Sequence, residues 1–283
     1  MANGLKTTNR KLKEDDDSNE VGEEWSSTDR LLFQSSSLTP PDVVVAADGS
    51  GNYTTVSAAV SAAPSYSSKR YIIRIKAGVY RENVEVPKEK SNIMFLGDGR
   101  KTTIITGSRS VAGGSTTYQS ATVAVEGQGF LARDITFQNT ADPFKYQAVA
   151  LRVEESDFAA FYKCGTIDFI VGNAAAVFQD CDIRARRPNP GQTVTITAQG
   201  RSNPTQKHRD SGWNGLKGRF ALDTLSFAEY ENSGAGAETS RRVTWEGYKM
   251  ITSATEAQSF TARNFIGGSS WLKSTTFPFS LDL

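Results

Sequence analysis

A carboxylate and a carboxamide on short strand-like runs are the residues of this chain that could do chemistry. Asp168 lies in Gly165-Thr-Ile-Asp-Phe-Ile-Val-Gly172, and Gln147 opens the upstream run Gln147-Ala-Val-Ala-Leu-Arg152. A carboxylate can attack an ester carbon, and a side-chain amide can stabilise the oxyanion that forms. Together the two residues supply part of an ester-cleaving site.

Each candidate also has a purely structural interpretation. A carboxylate at a strand end that is followed by glycines often forms a turn. Gln147 could belong to a polar ladder between stacked strands. A third candidate, Thr117 in Ser115-Thr-Thr-Tyr-Gln-Ser120, could simply be a β-favouring residue on a strand. The residue types alone leave both interpretations open.

The composition argues against several other functions. Lys and Arg number 32 against 31 Asp and Glu, so the basic excess of a charge-driven nucleic-acid binder is absent. No run of about 18 apolar residues occurs, so we predict no membrane span. The single histidine, His208, has no cluster of further ligands around it in sequence, so we predict no zinc site.

The elements that must position the candidate residues begin after a polar N-terminal segment. Residues 1–41 are too polar to bury enough apolar area to offset their ordering entropy, and we expect a disordered tail. A helical pattern follows, with a Thr cap and apolar residues at Val56, Ala59 and Val60. The spacing predicts one short helix that ends at Pro64.

Short apolar runs separated by turn residues predict an all-β domain over residues 42–283. Runs that end at Asp134, Lys163 and Asp180 repeat one pattern of aromatic or aliphatic residues before a polar one. Repetition of one coil motif is typical of a solenoid, so we predict a parallel β-helix. A coil needs roughly 20 or more residues. The 17-residue step from Lys163 to Asp180 therefore indicates a compressed or cut coil.

A series of sequence words, in the same order, resembles plant pectin methylesterases (pectinesterases) over most of residues 42–283. They include Ala132-Arg-Asp-Ile-Thr-Phe-Gln-Asn139, Gly165-Thr-Ile-Asp-Phe169, Thr197-Ala-Gln-Gly-Arg201 and Trp271-Leu-Lys-Ser-Thr-Thr-Phe277. The resemblance implies a right-handed parallel β-helix that hydrolyses the methyl esters of galacturonate in pectin without metal or cofactor. The implied partner is methyl-esterified homogalacturonan, with no nucleic acid and no membrane, and we expect a monomer.

The location and the residue roles also follow from the resemblance. Glu24–Leu32 resembles the processing linker that precedes the catalytic domain in the family, and an extracellular, cell-wall location is implied although Met1–Thr8 has no apolar signal core. Asp168 matches the nucleophile that forms an acyl-enzyme. Gln147 matches an oxyanion-hole glutamine that also contacts substrate, and Thr117 matches a substrate-contacting threonine.

Two stretches of the family pattern are missing from this chain. Between Cys164 and Gly165 it lacks the Tyr-Gln-Asp-Thr-Leu word, which carries the acid/base aspartate and a second oxyanion glutamine. Between Gln206 and Trp213 it lacks a longer stretch with the Gly-Arg-Pro-Trp word, which carries the orienting arginine and a substrate-binding tryptophan. Losing a general acid/base costs roughly 10²–10⁴ in rate, so we predict severely reduced activity.

Several interpretations stay open at this point. The chain is a weak pectinesterase, a non-catalytic pectin-binding or decoy pseudoenzyme, or an incomplete gene product that does not accumulate folded. We expect residues 43–200 to fold as a β-helix and leave open how residues 205–283 dock. In the family the partner of Cys164 lies in the missing coil. Pairing of Cys164 with Cys181 on a coil about 4.8 Å away is a hypothesis.

Overall fold

The computed structural model describes residues 5–12, 40–154, 159–167, 169–172, 174, 176–184, 197–198, 227–231, 239–240, 244, 246, 248–275, 277 and 279–283. The strands are β1 Leu5–Leu12, β2 Val43–Val45, β3 Tyr71–Ile75, β4 Gly78–Arg81, β5 Val84–Val86, β6 Ile93–Gly97, β7 Thr103–Gly107, β8 Val123–Val125, β9 Phe130–Arg133, β10 Thr136–Asn139, β11 Val149–Val153, β12 Ala159–Tyr162, β13 Gly165–Ile167, β14 Phe169–Val171, β15 Ala176–Arg184, β16 Thr197–Ala198, β17 Phe227–Glu229 and β18 Tyr248–Met250. The α-helices are α1 Val56–Ala62, α2 Ala254–Ala257, α3 Ala262–Phe265 and α4 Gly268–Trp271, and 3₁₀ turns cover Tyr118–Ser120, Pro143–Lys145, Gln258–Phe260 and Leu272–Thr275.

The strands wind as coils with three faces. The first face contains β2, β3, β6, β9, β12 and the first half of β15, and the second contains β4, β7, β10, β13 and the second half of β15. The third face contains β5, β8, β11, β14 and β16. Each coil contributes one strand to each face, as β9, β10 and β11 do, and neighbouring strands pair in parallel. The fold is a right-handed parallel β-helix, which confirms the predicted fold class.

The repeat seen in the sequence corresponds to one corner of the β-helix. Asp134, Lys163 and Asp180 all adopt left-handed backbone conformations, with φ of 55°, 49° and 51°. The Asp134 N–H donates to the carbonyl of Tyr162, and the Lys163 N–H donates to that of Gln179, each at 3.2 Å. The short step between Lys163 and Asp180 contains β13, β14 and the start of β15, and these strands pair in parallel with strands of the neighbouring coils.

A column of phenylalanines fills the interior between the faces. The ring centroids of Phe95 and Phe130 lie 5.0 Å apart, and those of Phe130 and Phe161 lie 5.9 Å apart. Phe161 and Phe178 stack at 4.5 Å with their planes 4° apart. Aromatic contacts of this kind add about 0.5–1.5 kcal/mol each beyond area burial, so the column stabilises successive coils against each other.

Helix α1 forms where the sequence predicts it. The Thr55 hydroxyl accepts a hydrogen bond from the Ala58 N–H at 3.3 Å, which satisfies a donor of the first turn. Val56, Ala59 and Val60, the predicted apolar stripe, are buried. The helix packs against β2, β3 and β5 at the N-terminal end of the solenoid.

The C-terminal helices pack on the outer surface of the first face. One apolar cluster joins Ile72, Met94, Leu131, Ala160, Tyr162 and Val177 of the strands to Ala262, Ile266, Leu272 and Phe277 of the C-terminal segment. The C-terminal segment from Ala262 to Phe277 therefore docks on the solenoid through this cluster. Within the described ranges, no helix combines the length and the apolar character needed to cross a membrane.

The N-terminal segment contributes strand β1, which lies beside both halves of β15 and so extends the first and the second face. Its residues pair in parallel with β15, from Leu5 beside Ala176 to Leu12 beside Ile183. Part of the expected tail is thus a strand, while residues 13–39 lie outside the described residues. The division of the chain at residues 41 and 42 stays a prediction.

Both cysteines are buried free thiols on adjacent coils. The Cys164 N–H lies 3.4 Å from the Cys181 sulfur, and the Asp182 N–H donates to the Cys164 carbonyl at 2.9 Å. The proposed Cys164–Cys181 disulfide is not formed in this structure, although the residues are neighbours as the hypothesis requires. Burial and the neighbouring Cys181 thiol raise the pKa of Cys164 well above its ordinary value.

Candidate active site

Thr117 and Gln147 lie at the same edge of the third face. Thr117 immediately precedes the 3₁₀ turn that leads into β8, and Gln147 precedes β11 by one intervening residue. The two strands are neighbours, with Leu151 beside Val123. Both candidate side chains are exposed, so they are accessible to a ligand. The two residues therefore precede neighbouring strands of the third face.

Asp168 lies outside the described residues, so its predicted role is carried by sequence alone. The residues on either side of it are strand residues, because β13 ends at Ile167 and β14 begins at Phe169. Phe169 pairs with Val149, which is the first residue of β11 and comes two residues after Gln147. The strand after Asp168 and the strand after Gln147 are thus adjacent on the third face.

Asn139, which sequence reasoning did not single out, holds this edge together. Its fully buried side-chain amide lies 2.9 Å from the carbonyl of Arg109 and 3.1 Å from the carbonyls of Ser120 and Val149. Its carbonyl oxygen accepts from the Ala141 N–H at 2.9 Å. One amide therefore ties the segment that carries Thr117 to the start of β11. An asparagine at the end of a short strand run was the available sequence signal.

The loop that leads to Gln147 has a capped start and backbone bonds to a neighbouring turn. The Asp142 carboxylate accepts from the Phe144 N–H at 2.8 Å, and Pro143 occupies the first position of the 3₁₀ turn. The Lys145 carbonyl accepts from the N–H of Ala112 at 3.2 Å. Gln147 is fixed through its own carbonyl, which accepts from Val111 at 3.0 Å. Its side chain stays free of these backbone bonds.

A buried arginine supports the other side of the site. The Arg152 guanidinium lies 3.5 Å from the centroid of the Tyr118 ring, and it contacts the carboxylates of Glu126 at 3.1 Å and Glu154 at 2.9 Å. The Tyr118 hydroxyl donates to Glu126 at 3.2 Å. Desolvation of the hydroxyl, followed by the Glu154 carboxylate, raises the pKa of Tyr118 to about 12. Tyr118 therefore keeps its proton to a higher pH than an ordinary tyrosine, and its ring packs against Arg152 next to Thr117.

The arrangement can offer hydrogen-bond donors to a polar ligand at this edge. The Gln147 amide can donate to a developing oxyanion, and the Thr117 hydroxyl can bond to a substrate oxygen. Within the described ranges, no group of three or more His, Cys, Asp or Glu side chains is arranged to hold a metal ion.

Comparison with known families matches most of the chain in three pieces. The model of the family described as Pectinesterase matches residues 42–165, 164–209 and 207–269. The junctions between the pieces fall at residues 164–165 and 207–209. These are the places where the sequence analysis locates the missing stretches.

Curated relatives are similar to the chain over nearly its whole length. Pectinesterase 3 of Citrus sinensis is 52% identical over 349 residues, which cover 98% of this chain and 59% of the relative. A pectinesterase of Daucus carota is 54% identical over 321 residues, covering 88% of this chain and all of the relative. The chain thus spans 59% of the length of the Citrus relative.

A solved structure gives the same picture for the fold. The pectin methylesterase from carrot superposes with a TM-score of 0.69 at 52% sequence identity, covering 87% of this chain and 99% of the carrot chain. The matched range 42–165 includes Thr117 and Gln147, and the range 164–209 includes Asp168.

Proposed function

The chain belongs to the pectinesterase family, and we propose that it hydrolyses the methyl esters of galacturonate units in pectin at a severely reduced rate. The observation that supports the proposal is that Thr117, Gln147 and, by sequence, Asp168 precede three neighbouring strands of the third face, β8, β11 and β14. This arrangement presents an amide, a hydroxyl and, by sequence, a carboxylate to one substrate. The proposed location is the plant cell wall, where pectin occurs.

The proposed reaction begins at the Asp168 carboxylate. One carboxylate oxygen attacks the ester carbon, the bond from that carbon to the methoxy oxygen breaks, and methanol leaves after taking a proton from water. The Gln147 amide stabilises the negative oxygen of the tetrahedral intermediate. Water then hydrolyses the acyl-enzyme, which returns the carboxylate and leaves a free galacturonate.

The reduced rate follows from the absence of the acid/base word. The alignment to the Citrus relative has 349 positions against a chain of 283 residues, which leaves at least 66 positions without a counterpart here. Without a general acid, methoxide must be protonated by water, and the rate falls by roughly 10²–10⁴. A missing oxyanion donor costs a further factor of about 10²–10³ when residues act independently.

Methanol release from highly methylated pectin tests the proposal. The purified chain is compared with Asp168→Asn, which removes the nucleophilic charge and keeps the side-chain shape. Asp180→Asn is the matched control, because Asp180 is an exposed carboxylate on the next coil. We expect slow release that disappears in Asp168→Asn and persists in Asp180→Asn. Equal release by all three folded proteins would contradict the assignment of Asp168.

A second candidate function is binding of pectin without turnover. It is favoured by the same absence of the acid/base word from the sequence. A family member that lacks its acid/base partner can retain a surface for the polymer while it loses catalysis. The protein would then bind polygalacturonate and release no methanol even at high enzyme concentration. A circular dichroism spectrum of a folded β protein from the same samples would exclude the third interpretation, in which the chain does not fold.

A further inference from the structure

Strand β15 is paired along both of its edges, by strands from very different parts of the sequence. One edge pairs with β12 and β13 of the preceding coil. The opposite edge, here called the outer edge, pairs in parallel with β1 of the N-terminal segment. Each edge of a strand accommodates one neighbour, about 4.8 Å away. Strand β1 therefore holds the level of the first and second faces that follows β15.

In an uninterrupted solenoid, the next coil of the chain supplies the level that follows β15. The third face does continue in this way, because β16 pairs with β14, with Thr197 beside Ile170. The next coil would come after β16 in the chain, and a stretch of the family pattern is missing there, between Gln206 and Trp213. Strand β1 thus lies at the level that the residues after β16 would occupy in an uninterrupted solenoid.

The pairing of β1 continues around the corner at which β15 bends. Asp180, at this corner, has a φ of 51°. Thr8 pairs with β15 before the corner and Arg10 pairs after it, while Asn9, between them, has no register partner along the described strand. Strands β12 and β13 together pair with β15 on both sides of the same corner. Strand β1 therefore fits β15 as a coil of the solenoid does.

The charges of the two strands are complementary. Strand β1 has no acidic residue and three basic ones, Lys6, Arg10 and Lys11. Strand β15 contains Asp180 and Asp182, and its single basic residue, Arg184, comes after the last paired position. Lys11 lies beside Asp182 in the register. Opposite charges at facing positions favour strand pairing, so the outer edge of β15 favours a basic segment.

Without β1, the outer edge of β15 would present a row of backbone N–H and C=O groups that lack strand partners. Such an edge is a template for another strand, and a strand of nine residues offers a long one. Extended peptides bind to sheet edges of this kind through main-chain hydrogen bonds, and the neighbouring side chains supply the specificity. The outer edge therefore has the properties of a binding site for an extended segment.

We propose that the outer edge of β15 is a strand-accepting site, and that residues 5–12 fill it within the same molecule in place of a further coil. Residues 13–42 connect β1 to β2, which lies six strand spacings away on the first face, about 29 Å. Fully extended, this connection would reach about 100 Å, so its length permits the contact. The site takes a basic, extended segment in the parallel orientation, and it binds the same segment as a separate peptide when residues 5–12 are absent.

Hydrogen exchange of the unmodified chain, measured by mass spectrometry, tests whether residues 5–12 are paired. The reference is a synthetic peptide of residues 1–14. We expect the amides of residues 5–12, as a group, to exchange at least about tenfold more slowly in the chain than in the free peptide, because pairing protects them. Equal rates overturn the proposal.

Size-exclusion chromatography of the same sample tests whether the pairing is within one molecule. We expect a monomer. A dimer that dissociates when residues 2–14 are removed would assign the pairing to a second copy of the chain, and it would overturn occupation of the site within the same molecule.

A variant that lacks residues 2–14 tests whether the site accepts the segment from outside. Fluorescence anisotropy measures its binding of the labelled peptide of residues 1–14. We expect the unmodified chain to bind this peptide at least about tenfold more weakly than the shortened variant does, because its own tethered segment competes at roughly millimolar effective concentration. The peptide should also slow amide exchange in β15 of the variant. Exchange in β9, which is paired on both sides by β6 and β12, should stay unchanged.

Two pairs of substitutions in the full-length chain provide a matched comparison. Successive N–H groups of a strand point to opposite edges, so one of Thr7 and Thr8 directs its N–H at β15. Thr7→Pro combined with Thr8→Pro removes both donors, whereas Thr7→Val combined with Thr8→Val keeps the donors and the preference for a strand. We expect the double-proline chain to bind the peptide as the shortened variant does. The double-valine chain should exclude it as the unmodified chain does.

Circular dichroism establishes whether each protein is folded. If the shortened variant is unfolded, recovery of its β spectrum on addition of the peptide supports the site, and failure to recover overturns it. The proposal is also overturned if the shortened and unmodified chains bind the peptide equally, if neither binds it, or if a peptide of scrambled order binds as tightly. None of these measurements depends on ester hydrolysis, so their outcome is independent of the proposed function.

Discussion

Replacing Asn139 by alanine tests whether one buried amide holds the candidate active site together. The two N–H groups of the amide lie within hydrogen-bond distance of carbonyls in three segments, and its oxygen accepts from the Ala141 N–H. The Val149 carbonyl would keep a partner, because it also accepts from the Thr122 N–H at 2.9 Å. The carbonyls of Arg109 and Ser120 and the N–H of Ala141 would lose this partner.

The expected loss in the free energy of unfolding follows from these three groups. A buried polar group left without its partner costs about 1–3 kcal/mol, and the lower end applies where the loops can relax toward water. The sum predicts that the free energy of unfolding falls by about 3–5 kcal/mol in Asn139→Ala. This is a large fraction of the roughly 5–15 kcal/mol that a folded domain has available.

Urea denaturation followed by circular dichroism measures the effect. Asn83→Ala is the matched control, because the Asn83 amide donates to the Ala121 carbonyl at 2.9 Å and the substitution so removes a bond of the same kind. We expect that control to lose only about 1 kcal/mol. If the two variants are equally stable, the Asn139 amide does not join the three segments in solution and the reasoning is refuted.

Three further perturbations follow from the coil geometry. Phe178→Ala removes a ring stacked on Phe161 at 4.5 Å and should lower the free energy of unfolding by about 3–5 kcal/mol in urea denaturation. Gly172→Ala should prevent accumulation of folded protein. A Cβ at this position would lie 1.8 Å from the Val153 carbonyl oxygen, and Gly172 has a φ of +141°. Expression followed by circular dichroism checks this. Burial raises the pKa of Cys164 in the folded state, so above the unfolded thiol pKa of about 8.5 the unfolded chain loses its proton first. Under reducing conditions the free energy of unfolding should then fall by about 1.4 kcal/mol per pH unit as pH rises. The Cys164→Ala variant should not show this dependence on pH.

The architecture was predictable because its signals are local and repeated. The pattern at Asp134, Lys163 and Asp180 predicted stacked coils, and these residues occupy one corner with positive φ. The cap and apolar spacing of α1 are likewise contained in a few consecutive residues. Each coil presents the same alternation of inward and outward residues, so the sequence repeats what the structure repeats.

The contacts that build the site were not predictable in this way. Arg152 stacks on Tyr118, and Asn139 bonds to Arg109, across coils whose lengths differ along the chain. Tyr146, with a φ of 61°, lies between two residues whose carbonyls accept from Ala112 and Val111, a contact that no local pattern reveals. Asp168 remains a prediction from sequence, since it lies outside the described residues.

The sequence by itself determined the family, the solenoid class and the residue types available for ester chemistry, because local patterns encode them. Only the tertiary structure decided that the strands after Lys163 pair with those of the neighbouring coils, and that Thr117 and Gln147 precede neighbouring strands of the third face. The physical reason is register. In a parallel β-helix the neighbours of a residue are set by how many residues each turn absorbs, and that number is known only once the coils have stacked.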